Sequence, residues 1–323
     1  MSQKITVPEL NLTFNLDSAQ VINSGGGEGA IYRIDNSRAI KVFHEPENQK
    51  NKIANLEKTF SQKENPWIKL KTFATVPEFL AKDSSGQVVG YLMQNCEGWN
   101  ELNTLYAEDP SISLKTILLV FSKLHQALSA FHDQGFIIGD FNGSNILLNT
   151  FNGNVQLRAI DTDSWGINRP DLGLSFGPSA LDLEVIHPER LIAQEQGKTL
   201  PPFSAKHDWW AFTYLLTKCL TKRDPFEQGD FWGLGAEERR KAGLAAFHNG
   251  VNLGSAKNYA IHLRIGITLK HFLKRWLSCS EGGKFPLSLI ENTITEIINC
   301  PRCKEEVNGR LTLCPFPDCA QLL

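Results

Sequence analysis

Three polar residues in the middle of the chain have types that suit phosphate and metal chemistry. Asp140 and Asn145 lie five residues apart in GFIIGDFNGSNILLN, and Asp161 ends the run AID sixteen residues later. On one tight loop, an aspartate can meet an incoming hydroxyl while an asparagine reaches a metal ion bound to nucleotide phosphates. Asp161 would supply a second metal-binding oxygen. Because an aspartate and an asparagine at this spacing are common by chance, the flanking sequence decides the interpretation.

A glycine-rich segment far upstream, INSGGGEGAIYRI, is followed by the strand-like run RAIKVF. Glycine suits a loop whose backbone approaches phosphate, because no Cβ atom stands in the way. In the frame G-x-G-x-x-G-x-V, serine replaces the first glycine. The segment alone would suit a flexible hairpin turn, but its order before the later aspartates favours a nucleotide site. The candidate nucleotide-binding residues are Ser24, Gly25, Gly26, Gly27, Gly29, Ile31, Ala39 and Lys41.

These ordered motifs resemble those of bacterial eukaryote-like Ser/Thr protein kinases, over about residues 18–290. More narrowly, the chain is similar to the kinases encoded beside a PP2C-type phosphatase and a von Willebrand-type protein in tellurite-resistance-like gene clusters. Three later motifs support the resemblance. They are His187-Pro188-Glu189, where the activation segment would close, Asp208-Trp209-Trp210, which would open a long central helix, and the turn Thr221 to Phe226.

The resemblance implies an α+β, two-lobed protein-kinase-like fold, and the cysteine spacing described below adds a small C-terminal zinc ribbon. The β-rich N-lobe would cover about residues 1–95 and the helical C-lobe about 96–292. Met93 would be the gatekeeper, and Gln94 to Cys96 would form the hinge whose backbone meets adenine.

The same resemblance implies ATP as substrate, Mg²⁺ as cofactor and a protein Ser or Thr hydroxyl as acceptor. Asp140 would accept or orient that hydroxyl, and Asn145 and Asp161 would hold Mg²⁺. Lys41 would position the α- and β-phosphates.

A helix is predicted over NQKNKIANLEKTF, with Ile53, Leu56 and Phe60 on its buried face. Glu57 is then the candidate ion-pair partner of Lys41, because it lies four residues after Ile53 and three before Phe60. The alternative for Glu57 is a solvated charge on the flank of the helix. Two nearby glutamates compete for the pairing, Glu47 and Glu64.

The sequence departs from the kinase pattern at three places. Ile138-Gly139 replaces the usual His-Arg, Asn142 replaces a lysine that would stabilise the γ-phosphoryl group, and Asp161-Thr162-Asp163 replaces D-F-G. In kinases, the arginine at the position of Gly139 binds a phosphate on the activation segment through its guanidinium group. Glycine has no such group, so a phosphate there would lack its usual partner. Two other functions therefore stay open: a pseudokinase scaffold that docks through the zinc ribbon, and a small-molecule kinase.

The C-terminal tail carries two cysteine knuckles, C-x2-C and C-x4-C, separated by ten residues. Four thiolates around a tetrahedral Zn²⁺ ion would make a closed structural site in a zinc ribbon over residues 293–323. Two disulfides are the alternative, which a reducing compartment disfavours. The ribbon has few basic residues, so we expect it to dock a protein or to stabilise the chain and not to bind nucleic acid. The predicted ligands are Cys300, Cys303, Cys314 and Cys319.

Composition fits a globular enzyme, with 41% hydrophobic and 21% charged residues. The net charge of −2 implies no general attraction to nucleic acid or to an anionic membrane. Because the sequence has neither a long apolar run nor a signal-like N-terminus, we expect a cytoplasmic protein. The expected partners are a protein substrate and, by the resemblance, the PP2C-type phosphatase and the von Willebrand-type protein.

Two further helices are predicted beyond the hinge. SLKTILLVFSKLHQALSAFHDQG repeats apolar residues at helical spacing and ends at Gly135. DWWAFTYLLTKCL is apolar on nearly every face, which indicates a buried helix.

Overall fold

An antiparallel sheet at the N-terminal end of the chain precedes a set of helices. The structure is a computed structural model that describes residues 4–106, 112–151, 154–180, 184–227, 233–246, 266–316, 319 and 322. Seven strands form the sheet in the order β2-β1-β6-β7-β5-β4-β3, and all neighbouring pairs are antiparallel. Their bounds are Lys4–Val7 (β1), Leu12–Asn15 (β2), Val21–Asn23 (β3), Gly29–Arg33 (β4), Arg38–Phe43 (β5), Phe79–Lys82 (β6) and Val88–Gln94 (β7).

The central strands β5 and β7 set the position of Lys41, which pairs in register with Tyr91. Side chains alternate along a strand, so Lys41 shares one face of β5 with Ala39 and Phe43. A glycine is required at position 90 of β7, because an added Cβ would lie 2.0 Å from the Lys41 carbonyl oxygen. This close approach of the two backbones fixes where the lysine leaves the sheet.

Helix α1 (Lys50–Phe60) covers that face of the sheet, as its apolar periodicity predicts. Leu56 is buried against the β5–β7 face, and Ile53 and Phe60 pack beside it. The other fully buried positions of the helix are Lys52 and Thr59. A lysine therefore occupies the inner face of α1.

Seven helices are described in all, and the two longest correspond to the two helices predicted beyond the hinge. Helix α2 begins after Ser113, whose Oγ accepts the Thr116 N–H at 3.0 Å, and its chain turns away at Gly135. Helix α4 is buried along almost its whole length, as its continuous apolar sequence predicts. The helices after α1 are Leu114–Asp133 (α2), Pro188–Glu195 (α3), Ala205–Thr221 (α4), Ala236–Lys241 (α5), Ile267–Leu277 (α6) and Leu287–Glu296 (α7).

Three small sheets complete the described fold. The hairpin of β10 and β11 pairs Ile146 with Ala159, so the residues just before β10 and just after β11 lie side by side at its open end. Asn145 directly precedes β10, and Ile160 directly follows β11, so Asp161 is the second residue after that strand. The remaining strands are Asn100–Glu101 (β8), Phe136–Ile137 (β9), Ile146–Phe151 (β10), Asn154–Ala159 (β11), Gly166–Arg169 (β12), Leu174–Phe176 (β13), Ile297–Asn299 (β14) and Glu306–Asn308 (β15).

The fold is thus a mixed α/β arrangement with a cysteine cluster near its C-terminal end. The predicted domain boundary at 292/293 falls inside α7, and the cysteine-rich unit begins with β14 after that helix. None of the helices among the described residues is both long and apolar enough to cross a membrane.

Candidate functional site

A cleft of about 240 Å³ lies between the seven-stranded sheet and the β10–β11 hairpin. Its apolar wall combines side chains from β3, β4, β5, β7 and β10, and its polar end contains Lys41 and Asp161. An apolar slot with a few polar groups at one end is the usual form of a small-molecule site. The lining includes Ile22, Ile31, Ala39, Lys41, Tyr91, Met93, Gln94, Asn95, Cys96, Leu147, Ile160 and Asp161.

Lys41 is almost completely buried and is held by two carboxylates of the D-T-D run. Its Nζ lies 2.7 Å from Oδ1 of Asp161 and 2.9 Å from Oδ1 of Asp163. Burial by itself lowers the pKa of Lys41, but the charges of Asp163 and Asp161 outweigh it and raise the pKa above its ordinary value. The lysine is therefore a fixed cation at the polar end of the cleft.

Asp163 is the most enclosed charge of the site, with no exposed side-chain surface. It accepts hydrogen bonds from Lys41 and from the Tyr91 hydroxyl at 2.7 Å, and its Oδ2 lies 3.2 Å from Lys52 Nζ. Burial works to raise the pKa of Asp163, yet Lys41 and Lys52 together lower it below the ordinary range. The carboxylate thus stays ionised because two ammonium groups surround it.

The predicted pairing of Lys41 with Glu57 is wrong. Glu57 is exposed on α1, and the rival candidates Glu47 and Glu64 are exposed too. Residues 52, 56 and 59 form the buried face of the helix, which places position 57 about one residue step outside it. The partners of Lys41 are Asp161 and Asp163 instead.

Asp161 is held in an unusual backbone conformation at the end of the β10–β11 hairpin. Its φ of 56° is in the left-handed region, which costs free energy for a residue with a Cβ atom. Ser164 compensates by donating from its backbone N–H and its Oγ to the Asp161 carbonyl oxygen, at 3.0 and 2.7 Å. Buried Thr162 donates to the Thr75 carbonyl oxygen at 3.0 Å, in place of an aromatic side chain. The strained backbone keeps the carboxylate turned toward Lys41.

The Asp140–Asn145 loop folds back on itself through amide contacts. Asn145 Nδ2 donates to Oδ2 of Asp140 at 3.0 Å, and Asn142 Nδ2 donates to Oδ1 at 3.1 Å. The Oδ1 atom of Asn142 accepts the backbone N–H groups of Ser144 and Asn145. Asn142, at the position where the resemblance expects a lysine, is therefore part of the loop structure.

Two contacts connect this loop to the rest of the site. The Ile160 N–H donates to the Asn145 carbonyl oxygen at 2.9 Å, which joins the loop to the strand end before Asp161. From below, buried Asp208 of α4 accepts the N–H groups of Ile138 and Gly139, each at 2.9 Å. The loop is thus fixed at both ends before any ligand binds.

The predicted nucleotide-binding residues divide into two groups. Those of β4, β5, the end of β7 and the D-T-D run line the cleft: Ile31, Ala39, Lys41, Met93, Gln94, Cys96 and Asp161. The others lie outside its lining: the exposed turn of Ser24, Gly25, Gly26 and Gly27, buried Gly29 at the start of β4, and Asn145. Asp140, predicted as the catalytic residue, also lies outside the lining.

The four C-terminal cysteines converge on one point and form a site that can hold a metal ion such as zinc. Their sulfur atoms all lie within 4.8 Å of one another, and none forms a disulfide. Two of the pairs are Cys300 with Cys319 at 3.5 Å and Cys303 with Cys314 at 3.7 Å. Tetrahedral zinc with bonds of about 2.3 Å separates its sulfur ligands by about 3.8 Å. The geometry therefore fits a closed four-thiolate site.

The hairpin of this unit is formed by β14 and β15, which flank the first knuckle, and not by the segment between the knuckles. Asn299 pairs with Glu306, and the turn is closed by the Cys300 N–H donating to the Glu305 carbonyl oxygen at 2.9 Å. Val307 packs among the cysteines.

A second cluster with metal-binding side chains, His187, Glu189 and His207, forms a hydrogen-bond network instead. His187 Nδ1 accepts the Glu189 N–H at 3.2 Å, and His207 Nδ1 accepts the Ser204 N–H at 2.9 Å. In neutral rings the protons are then on the Nε2 atoms, and His207 Nε2 donates to Glu189 Oε1 at 2.7 Å. The contact between Glu189 and His207 connects α3 to α4.

Sequence reasoning missed Asp163, Lys52 and Tyr91. Asp163 was visible only as the residue that replaces glycine in D-F-G. Lys52 lies four residues before Leu56, so the same helical spacing that identified the apolar face could have placed it there. A scan against protein-family models and a search of the curated proteins each found no significant match to this chain.

Proposed function

We propose that the chain is an ATP-dependent protein kinase that transfers the γ-phosphoryl group to a Ser or Thr hydroxyl. One observation carries the proposal: buried Lys41 contacts Asp161 at 2.7 Å at the polar end of an apolar cleft. Phosphoryl transfer depends on positioning and on neutralising phosphate charge, which such a lysine and a metal-binding aspartate provide.

The apolar part of the cleft suits a nucleotide base. Its walls are formed by Ile31, Ala39, Met93 and Leu147. Gln94 ends β7, and the chain from Gln94 to Cys96 also lines the cleft. The polar end then receives the phosphates, with Lys41 as their fixed cation. This division follows the N-lobe and C-lobe arrangement that the motifs imply.

The donor set at the hairpin end fits Mg²⁺, which prefers carboxylate and amide oxygens. Asp161 keeps 47% of its side chain exposed, so its carboxylate is accessible from the cleft. Asn145 uses its amide nitrogen toward Asp140, which leaves the amide oxygen as its ligand atom. A bound Mg²⁺ ion would neutralise charge on the phosphates.

Asp140 is the residue that would orient the acceptor hydroxyl. The two amide groups that contact its carboxylate hold it in one direction. Two further motif positions favour a protein acceptor over a small alcohol, namely the His187 to Arg190 segment and the Asp208 contact under the loop. A cytoplasmic enzyme working with a PP2C-type phosphatase and a von Willebrand-type protein is part of the same proposal.

Mg²⁺-ATP binding and radiolabelled phosphotransfer test this function. Wild type should bind Mg²⁺-ATP and label a Ser/Thr protein mixture, whereas Asp161→Ala should lose both activities and keep its fold. Its fold survives because Asp163 still neutralises Lys41. Glu57→Ala is the matched control, since it removes an exposed carboxylate. Binding without transfer would favour the pseudokinase scaffold, and labelling of small alcohols alone would favour the small-molecule kinase.

A further inference from the structure

Lys52 is a buried cation on α1 that joins three separate parts of the candidate site. Only 3% of its side chain is exposed. Its Nζ contacts the Glu28 carboxylate of the glycine-rich loop (residues 24–29) and lies 3.2 Å from Oδ2 of Asp163. The helix that covers the sheet is therefore connected both to the glycine-rich loop and to the Asp163 carboxylate beside Lys41.

A buried ammonium group is unfavourable unless carboxylates compensate its lost hydration. Lys52 has two such partners, and Asp163 has two cationic partners, Lys41 and Lys52. Removal of Lys52 would leave Asp163 with one cation and Glu28 with none of the ion pairs described for it. Lys52 thus sets the charge balance of the whole group.

The direction of the Glu28 carboxylate affects how well the site can receive a negatively charged ligand. Glu28, Asp161 and Asp163 are three carboxylates against the two ammonium groups of Lys41 and Lys52. A glutamate in a glycine-rich loop would repel a nucleotide's phosphates if its carboxylate turned toward them. The contact with Lys52 turns it toward α1.

We propose that Lys52 is a positioning residue of the nucleotide site: it holds the Glu28 carboxylate away from the phosphates and fixes Asp163 behind Lys41. The inference rests on the proposed function, because it assigns the cleft to a nucleotide. It deepens that function by assigning a role in the site to a buried cation of α1, the helix on which Glu57 was the expected partner of Lys41. Nucleotide binding then depends on Lys52 although Lys52 does not line the cleft.

The test measures Mg²⁺-ATP affinity in four variants. Lys52→Met should weaken binding by about tenfold, because it frees Glu28 and removes one neutralising charge. The double variant Lys52→Met/Glu28→Gln should recover a large part of that loss, a rescue that a purely structural role of Lys52 would not give. Glu28→Gln alone should bind at least as tightly as wild type. Lys58→Met, an exposed lysine on the same helix, should bind as wild type does.

Two results would overturn the inference. One is Lys52→Met binding within twofold of wild type, and the other is weaker binding by Glu28→Gln, which folds because Lys52 keeps Asp163 as its partner. If wild type itself does not bind Mg²⁺-ATP, the proposed function fails instead. The Lys52–Glu28 contact is then tested by a double-mutant cycle in thermal unfolding, where absence of coupling contradicts it.

Discussion

At the scale of single residues, Asp163 has the largest influence on the candidate site. It is fully buried and accepts from Lys41 and Tyr91 while it faces Lys52. Breaking a buried ion pair by removing one partner costs more than the pair contributes, because the other charge stays buried and unpaired. In this site two ammonium groups would be affected at once.

We expect Asp163→Asn to lower the free energy of unfolding by about 3–5 kcal/mol, as for other broken buried pairs. Glu57→Gln, the same kind of change on the exposed side of α1, should stay within about 0.5 kcal/mol. Urea denaturation of the two variants measures both values. A loss below 1 kcal/mol in a natively folded Asp163→Asn protein would contradict the assigned position of this carboxylate.

The residues of the site differ in how well the sequence predicts them. Lys41, within β5, and Asp161, two residues after β11, were selected through the kinase-like motifs, and both line the cleft. Glu57 was chosen by its spacing from Ile53 and Phe60, but the packing of Leu56 and its neighbours sets the rotation of α1 and leaves position 57 exposed. A shift of one helical position is about 100°, which separates an exposed residue from a buried one. Long-range contacts such as Tyr91 with Asp163 have no local signal.

At the scale of elements, the segment after Asp161 is held by packing at the place where a kinase would use arginine and phosphate. Strand β12 pairs with β9 and β13, and Ser179 N–H donates to the Ser164 carbonyl oxygen at 2.8 Å. Gly139 has a φ of 74°, and Pro178 packs directly against it. An added Cβ at position 139 would lie 2.5 Å from Pro178 Cβ.

Gly139→Ala should therefore destabilise the protein by about 2–4 kcal/mol, since the left-handed backbone and the overlap with Pro178 add together. Gly177→Ala is its matched control, because position 177 has open space and no positive φ. Chemical denaturation compares the two. Equal stabilities would show that the segment does not pack on this loop.

His187, at the start of helix α3, makes the free energy of unfolding depend on pH. Burial, with a smaller contribution from His207, lowers the pKa of His187 to about 4, whereas an unfolded histidine titrates near about 6.5. Between these two values the unfolded chain binds more protons than the folded chain. The free energy of unfolding therefore falls as the pH drops from about 6.5 to 4.

His187→Asn tests this dependence without removing the helix cap. His187 caps α3 by accepting the Glu189 N–H, and asparagine is a good acceptor at that position. The variant should match wild type near neutral pH and lose less stability on acidification. Unfolding free energies at four pH values measure the difference, which includes the change at Glu189, whose pKa His187 helps to lower. Parallel curves would reject the role of His187.

At the scale of the whole molecule, the cysteine unit has its own small core and is attached to the helices by Ile297 of β14 and by polar contacts. Val307 and the four cysteines pack together, separate from the core between the helices. Glu306 accepts the Lys115 N–H at the start of α2 at 3.1 Å, and Asn308 Nδ2 donates to Glu296 at 2.9 Å. A core this small cannot support folding without a metal or a covalent link.

Zinc removal should therefore unfold the cysteine unit and leave the larger fold intact. We expect about one equivalent of zinc in protein purified without added metal, because the four thiolates close one tetrahedral site. Cys303→Ser should lose this metal, whereas Cys279→Ser, at an exposed cysteine outside the set, should keep it. After chelation, amide hydrogen exchange should accelerate at β14 and β15 and stay slow in α2 and α4. Metal binding and folding of such a unit are one process. Unchanged protection of β15 in metal-free protein would therefore contradict a zinc-dependent fold. Accelerated exchange in α4 would show instead that the metal stabilises the entire molecule.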